Sequence, residues 1–163
     1  MEIRAELRPT EDLERILKAI RNVFGVEEYR VVDEEPYKIV VAESRDIKSL
    51  LKLHELLRQS RILDTARKVM TSGRREGAIV FKIHKQGAYA GKVSFVTFDT
   101  ESPLGPIEVR IYTDKPDEVI DWLAPKTSKG KPLGTDPCPK YRPISLRRSS
   151  YILKLLRSSG KPT

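Results

Sequence analysis

The chain has 163 residues, 33% charged and 39% hydrophobic, with a formal net charge of +8 and one cysteine. That length fits one domain that can bury its own core, and the composition is too apolar for a disordered chain and too charged for a membrane one. Cys138 alone cannot form an internal disulfide, no apolar run approaches a membrane span, and Met1-Glu2-Ile3-Arg4 is no signal peptide, so a cytoplasmic protein without a membrane partner is expected.

Alternation of Ile3, Ala5 and Leu7 with charged residues predicts a first strand. Pro9-Thr10-Glu11-Asp12 then reads as a helix start with Thr10 as N-cap. Leu13, Ile16, Leu17, Ile20, Val23 and Phe24 continue at helical spacing toward a C-cap at Gly25. Strands are expected at Tyr29 to Val32 and Tyr37 to Glu43, either side of the Asp33-Glu34-Glu35-Pro36 turn. Between Ser44 and Ser72 there is no glycine or proline, and apolar residues recur at helical spacing, giving a long helix or two with a break near Gln59-Ser60. Leu53 and Leu56 widen its apolar face, which suggests a dimer contact. Three strands follow, Ala78 to His84, Lys92 to Phe98 and Ile107 to Tyr112, then a short helix from Lys115 to near Ala124 with Pro116 in its first turn. The order β-α-β-β-α-β-β-β-α is that of an α+β domain, with a mainly antiparallel sheet and helices largely on one face.

Charge is unevenly spread. Residues 1–124 hold 21 basic and 22 acidic side chains, whereas residues 125–163 hold 10 basic ones against Asp136 alone. The latter stretch also carries six of the 11 prolines. A domain over 1–124 and a basic, Pro-rich extension over 125–163, ending in a short helix near Ser149 to Ser158, are therefore expected. Within the domain, 45–92 is a second basic zone between acidic flanks. Scarce Asn and Gln beside abundant Glu, Lys and Arg point toward a thermophilic source.

The motifs of enzyme chemistry are missing. Neither Gly73-Arg74-Arg75-Glu76-Gly77 nor Gly130-Lys131-Pro132-Leu133-Gly134 has phosphate-loop spacing, and the two histidines and the cysteine lack metal-ligand spacing, so no catalytic residue, metal or cofactor is assigned. His54, within an apolar stripe, reads as a core or interface histidine. The basic zones carry more information. Arg58, Arg61, Arg67, Lys68, Arg74 and Arg75 could meet phosphates, or could form a solvated face with Asp64 paired to Arg61 or Lys68. Lys85, Gln86, Tyr89 and Lys92 lie in a small-residue connection where a tyrosine could stack on a base. Lys126, Lys129, Lys131, Lys140, Arg142, Arg147 and Arg148 could form an electrostatic arm for nucleic acid, or an extension whose terminal helix docks on the body, two readings that are compatible; the apolar segment is short for an interfacial membrane helix. Phe95-Val96-Thr97-Phe98 looks like part of an RNA-recognition signature, but it lies on the wrong strand and lacks the preceding Lys-Gly.

Four ordered stretches carry a wider resemblance: Arg8-Pro9-Thr10-Glu11-Asp12, Arg61-Ile62-Leu63-Asp64-Thr65-Ala66-Arg67, Lys85-Gln86-Gly87-Ala88-Tyr89-Ala90-Gly91-Lys92 and Glu101-Ser102-Pro103-Leu104-Gly105-Pro106-Ile107. Together they resemble an archaeal family of uncharacterised proteins grouped with predicted RNA-binding and exosome-associated proteins. The resemblance covers about 1–124. It implies a fold similar to the large-subunit ribosomal protein that binds 5S rRNA, a homodimer and an archaeal source. The expectation is a non-catalytic RNA-binding protein in ribosome or RNA metabolism. The alternative is a dimeric adaptor of ribosomal or RNA-processing proteins that does not itself touch RNA.

Overall fold

The structure, a computed structural model, describes residues 1–96, 104–129 and 131–132. Its centre is a six-stranded antiparallel sheet of order β2-β3-β1-β6-β5-β4, made from β1 (Glu2–Leu7), β2 (Tyr29–Asp33), β3 (Lys38–Glu43), β4 (Arg74–Arg75), β5 (Ala78–Ile83) and β6 (Ile107–Tyr112). Register follows the apolar alternation. Ile3 lies opposite Ala42 and Val109, Ala5 opposite Val40 and Ile107, and Ile79, Phe81 and Ile83 opposite Ile111, Val109 and Ile107. One sheet face is thus continuously apolar.

Helices cover that face. α1 (Leu13–Val23) contributes Ile16, Leu17, Ile20 and Val23, and α2 (Leu51–Gln59) contributes Leu53 and Leu57. α3 (Leu63–Ser72) adds Leu63, Ala66 and Met70, and α5 (Pro116–Leu123) adds Val119, Ile120, Trp122 and Leu123. Each fully buried leucine or isoleucine contributes about 1.5–3 kcal/mol of transfer free energy. Leu53 is consumed in this core and Leu56 packs against it, so the pair leaves no spare apolar face; Leu51 is the exposed leucine of the helix.

Several local expectations change. The first helix is capped by Asp12, whose carboxylate accepts from the Glu14 N–H, rather than by Thr10, and it ends at Phe24 rather than Gly25. The glycine-free stretch 44–72 resolves into a 3-10 turn (Ile47–Leu50), α2 and α3, broken where Arg61 takes a left-handed φ of 54°. Lys85–Tyr89, expected as a loop, is a short helix, α4, so Tyr89 and Gln86 share a face. The strand expected over Lys92 to Phe98 does not form among the described residues. Gly91 turns the chain at φ 79°, and the segment meets β5 through an Ile83–Phe95 bridge and two backbone bonds, Ser94 O with His84 N–H and Lys82 O with Val96 N–H. Phe95 packs edge-on against Phe81, so it serves the core and not an RNA-reading surface. A small hairpin, β7 (Thr127–Ser128) with β8 (Lys131–Pro132), follows α5.

Candidate nucleic-acid interface

Exposed cations gather where α4 packs on α1. The Asn22 amide on α1 donates to the carbonyls of Ala88 and Tyr89, fixing the two helices together. Arg15, Lys18 and Arg21 recur every three residues along the solvent side of α1. The Lys18 ammonium stands 5.1 Å from the ring centroid of Tyr89, which is 42% exposed. Arg21 lies 5.9 Å from the ring of Tyr29, itself 45% exposed, and its carbonyl accepts from Lys52. Gln86 is exposed on the Tyr89 face of α4, and the exposed Lys92 folds back as its N–H donates to Gly87 O. Arg21 also donates to Glu27 O, and the group combines exposed cations with two accessible aromatic faces, the pairing that single-stranded nucleic acid requires.

A second group flanks α3. The Thr127 hydroxyl donates to Asp64, which places the hairpin and the exposed Lys126, Lys129 and Lys131 beside the helix that carries exposed Lys68, with exposed Arg61 in the turn just before it. Asp64 therefore holds the hairpin. Arg142, Arg147 and Arg148 lie outside the described residues, as does Lys140.

Five of the expected phosphate ligands are engaged elsewhere. Arg58 donates to the carbonyls of His54, Trp122 and Leu123, and Arg67 to Ala124 O and the Asp121 carboxylate, so both neutralise the C-terminal end of α5. Arg74 pairs with Asp117 at the opposite end of that helix. Arg75 donates to Ser72 O and Arg74 O. Lys85 is the clearest case, with a side chain only 7% exposed. Its ammonium donates to Glu6 O at 2.6 Å, Leu104 O at 2.8 Å and the Glu11 carboxylate at 3.0 Å, which uses all three of its protons. Burial holds its pKa below the ordinary lysine value even though Glu11 opposes the shift. Three of the four stretches that carry the family resemblance, those containing Glu11, Lys85 and Leu104, meet at this ammonium.

The sheet face away from the helices offers no alternative platform. There Arg4 bonds Glu34 and lies near Glu2, Arg110 bonds Glu108, and Glu108 lies across from Arg4 and Lys82. Opposite charges alternate and largely neutralise one another. The Tyr112 phenol is pushed above its ordinary pKa by burial and then by the Glu2 charge, while Arg110 opposes the shift.

Sequence reasoning missed Arg15, Lys18, Arg21 and Lys52. For the three on α1 the signal was their three-residue spacing, hidden by the net acidity of residues 1–44, whereas Lys52 lies within the basic zone at 45–92. Residues 1–113 match a family model described as RNA binding. The chain is 49% identical over 135 residues to a UPF0201 protein of Saccharolobus solfataricus, spanning 83% of this chain and 93% of that one. It is 44% identical to a UPF0201 protein of Metallosphaera sedula over 85% of this chain and 96% of the relative. Its fold matches the crystal structure of a Methanococcus jannaschii UPF0201 protein with a TM-score of 0.72 and 34% identity, covering 82% of this chain and 98% of that one. The chain belongs to this RNA-binding, UPF0201 family of archaeal proteins.

Proposed function

We propose that the protein is a non-catalytic binder of single-stranded or looped RNA in ribosome or RNA metabolism, and that the α1/α4 surface is its contact. The observation that carries this is Lys18 poised over the exposed ring of Tyr89, with Gln86 on the same side of α4. A base stacking on Tyr89 would meet its phosphate with Lys18 and Lys92 close by, while Arg21 and Lys52 extend the basic strip along the helices. Lys68, Lys126, Lys129 and Lys131 supply a second set of phosphate contacts. The family description as RNA binding supports the same partner.

Fluorescence anisotropy with a labelled single-stranded RNA tests the reading. Log affinity should fall with log salt, and each lost phosphate contact should reduce the slope by about 0.7. Replacing Tyr89 by Ala removes a stacking face worth about 1–3 kcal/mol per base. Binding without salt dependence, or binding unchanged in both Tyr89→Ala and Lys18→Gln, would falsify the assignment to this surface.

A further inference from the structure

The two edges of the sheet are finished differently. β4 is two residues long and consists of Arg74 and Arg75, whose shortness and charge prevent further pairing. β2 is five residues long, with all of its ladder partners on β3. None of the loop, turn and cap backbone bonds of the described residues reaches its outer side. Val31 and Tyr29 point to the helix side of the sheet, opposite Val40 and Ala42, yet are 40% and 45% exposed because the helical layer stops short of this strand. Among the described residues β2 is therefore an open edge with an accessible apolar residue at its centre.

The charges around it restrict what can pair there. Residues 27–35 contain five acidic side chains and Arg30 as the sole base. Arg30 is spoken for by Glu43 at 3.0 Å, whereas the side chains of Glu27, Glu28 and Glu35 are exposed and make no hydrogen bond or ion pair among the described residues. Two copies pairing antiparallel about Val31 would set Glu27 opposite Glu35 and Glu28 opposite Glu34. Like charges facing across a ladder destabilise it. An added strand carrying Lys or Arg at both ends would instead face carboxylates at both ends.

We propose that β2 is a docking edge for an extended basic segment of a partner protein, which adds antiparallel or parallel as a seventh strand. Backbone N–H and C=O groups of Tyr29–Asp33 supply affinity, Val31 takes one apolar side chain of the segment, and Glu27, Glu28 and Glu35 select its flanking cations. The edge adjoins the basic strip at Tyr29, under Arg21, but includes neither Lys18 nor Tyr89, so its failure leaves the RNA reading at those two residues intact.

The test is a titration of the nitrogen-15-labelled full chain with a synthetic peptide of about nine residues alternating lysine with valine, and with its glutamate–valine counterpart. Amide shifts concentrated in residues 27–35 and 38–43, produced by the lysine peptide and not by the glutamate one, are expected. Glu27→Gln, Glu28→Gln and Glu35→Gln together should weaken the lysine peptide about tenfold, and Val31→Lys should weaken it similarly through repulsion. Equal response to both peptides, no response at β2 up to millimolar peptide, or full binding by the triple variant would overturn the proposal. Hydrogen exchange on the peptide-free chain covers the rival occupants. Outer β2 amides already protected, with dependence on protein concentration, would assign the edge to a second copy; protection independent of concentration would assign it to this chain itself.

Discussion

Lys85 shows how far a residue's role can lie from its composition. A lysine between small residues in a basic zone suggests a phosphate ligand, but here the ammonium ties β1, the α1 entry and the chain at Leu104 into one buried point. Glu11 also accepts the Arg8 N–H and is only 10% exposed, so removing Lys85 strands a buried carboxylate. Lys85→Met should cost about 3–5 kcal/mol in urea unfolding, and the Lys85→Met/Glu11→Leu pair should recover much of it, because breaking a buried pair costs more than replacing it whole. A double variant as unstable as the single one would show that Glu11 is not the stranded group. His54 makes a second prediction at this scale. It stacks on Trp122 with 4.8 Å between centroids, and burial, then the nearby Arg58 charge, holds its pKa below 6.5 while Glu55 opposes them. The unfolded state therefore binds the proton more tightly. Stability should fall as pH drops from about 6.5 toward the folded pKa and then level off, and His54→Phe should flatten that segment of the stability curve. Urea midpoints between pH 4.5 and 7.5 check it.

At the scale of elements, the alternating and helical patterns of residues 1–83 and 107–123 were legible because each element buries one face and its sequence period records that burial. What escaped depends on approach between distant segments. Gly73 looks like a helix C-cap, yet its φ of −87° is open to any residue. Its requirement comes from β5: a Cβ there would lie 1.8 Å from Val80 O, the carbonyl of a residue whose own N–H donates to Gly73 O. Gly73→Ala must push α3 away from β5, and a loss of about 3 kcal/mol or more is expected, at or above the upper range for overpacking, since backbone and not a flexible side chain must yield. Near-wild-type urea stability would show that the α3 to β4 corner can relax. The strand expected over Lys92 to Phe98 failed for a related reason. Its apolar residues are recruited by the core, but the Gly91 turn leaves the segment with two ladder bonds to β5 in place of a full register.

At the scale of the molecule, the net charge of +8 is a poor guide to where a polyanion would bind. Arg58 and Arg67 account for part of the basic zone at 45–92, yet they are fastened to the C-terminal end of α5 and cannot release their partners without loosening the helical layer, and Arg74 pairs with Asp117 at its other end. That commitment was invisible in sequence, since Arg58 and the α5 carbonyls are more than 60 residues apart. Tyr89 was legible as a stacking group, but its cation, Lys18, comes from a helix read for its apolar face alone. A binding account based on total charge treats any three cations as equivalent, whereas the fold makes them unequal. Lys18→Gln, Arg21→Gln and Lys92→Gln together should lower the salt slope for RNA by about 2 while leaving the urea midpoint nearly unchanged. The same number of substitutions at Arg58, Arg67 and Arg74 should leave the slope intact and lower stability, by roughly 1–2 kcal/mol each for Arg58 and Arg67 and by less than about 1 kcal/mol for the exposed Arg74 pair. Substituting Lys126, Lys129 and Lys131 separates two ways of using the surface. If one RNA strand crosses from α1/α4 to the hairpin beside α3, the two triple variants should add in log affinity, because the sites share no side-chain partner. If the hairpin triple changes nothing, α1/α4 is the whole contact, and equal slope losses from all three sets would return the explanation to bulk charge.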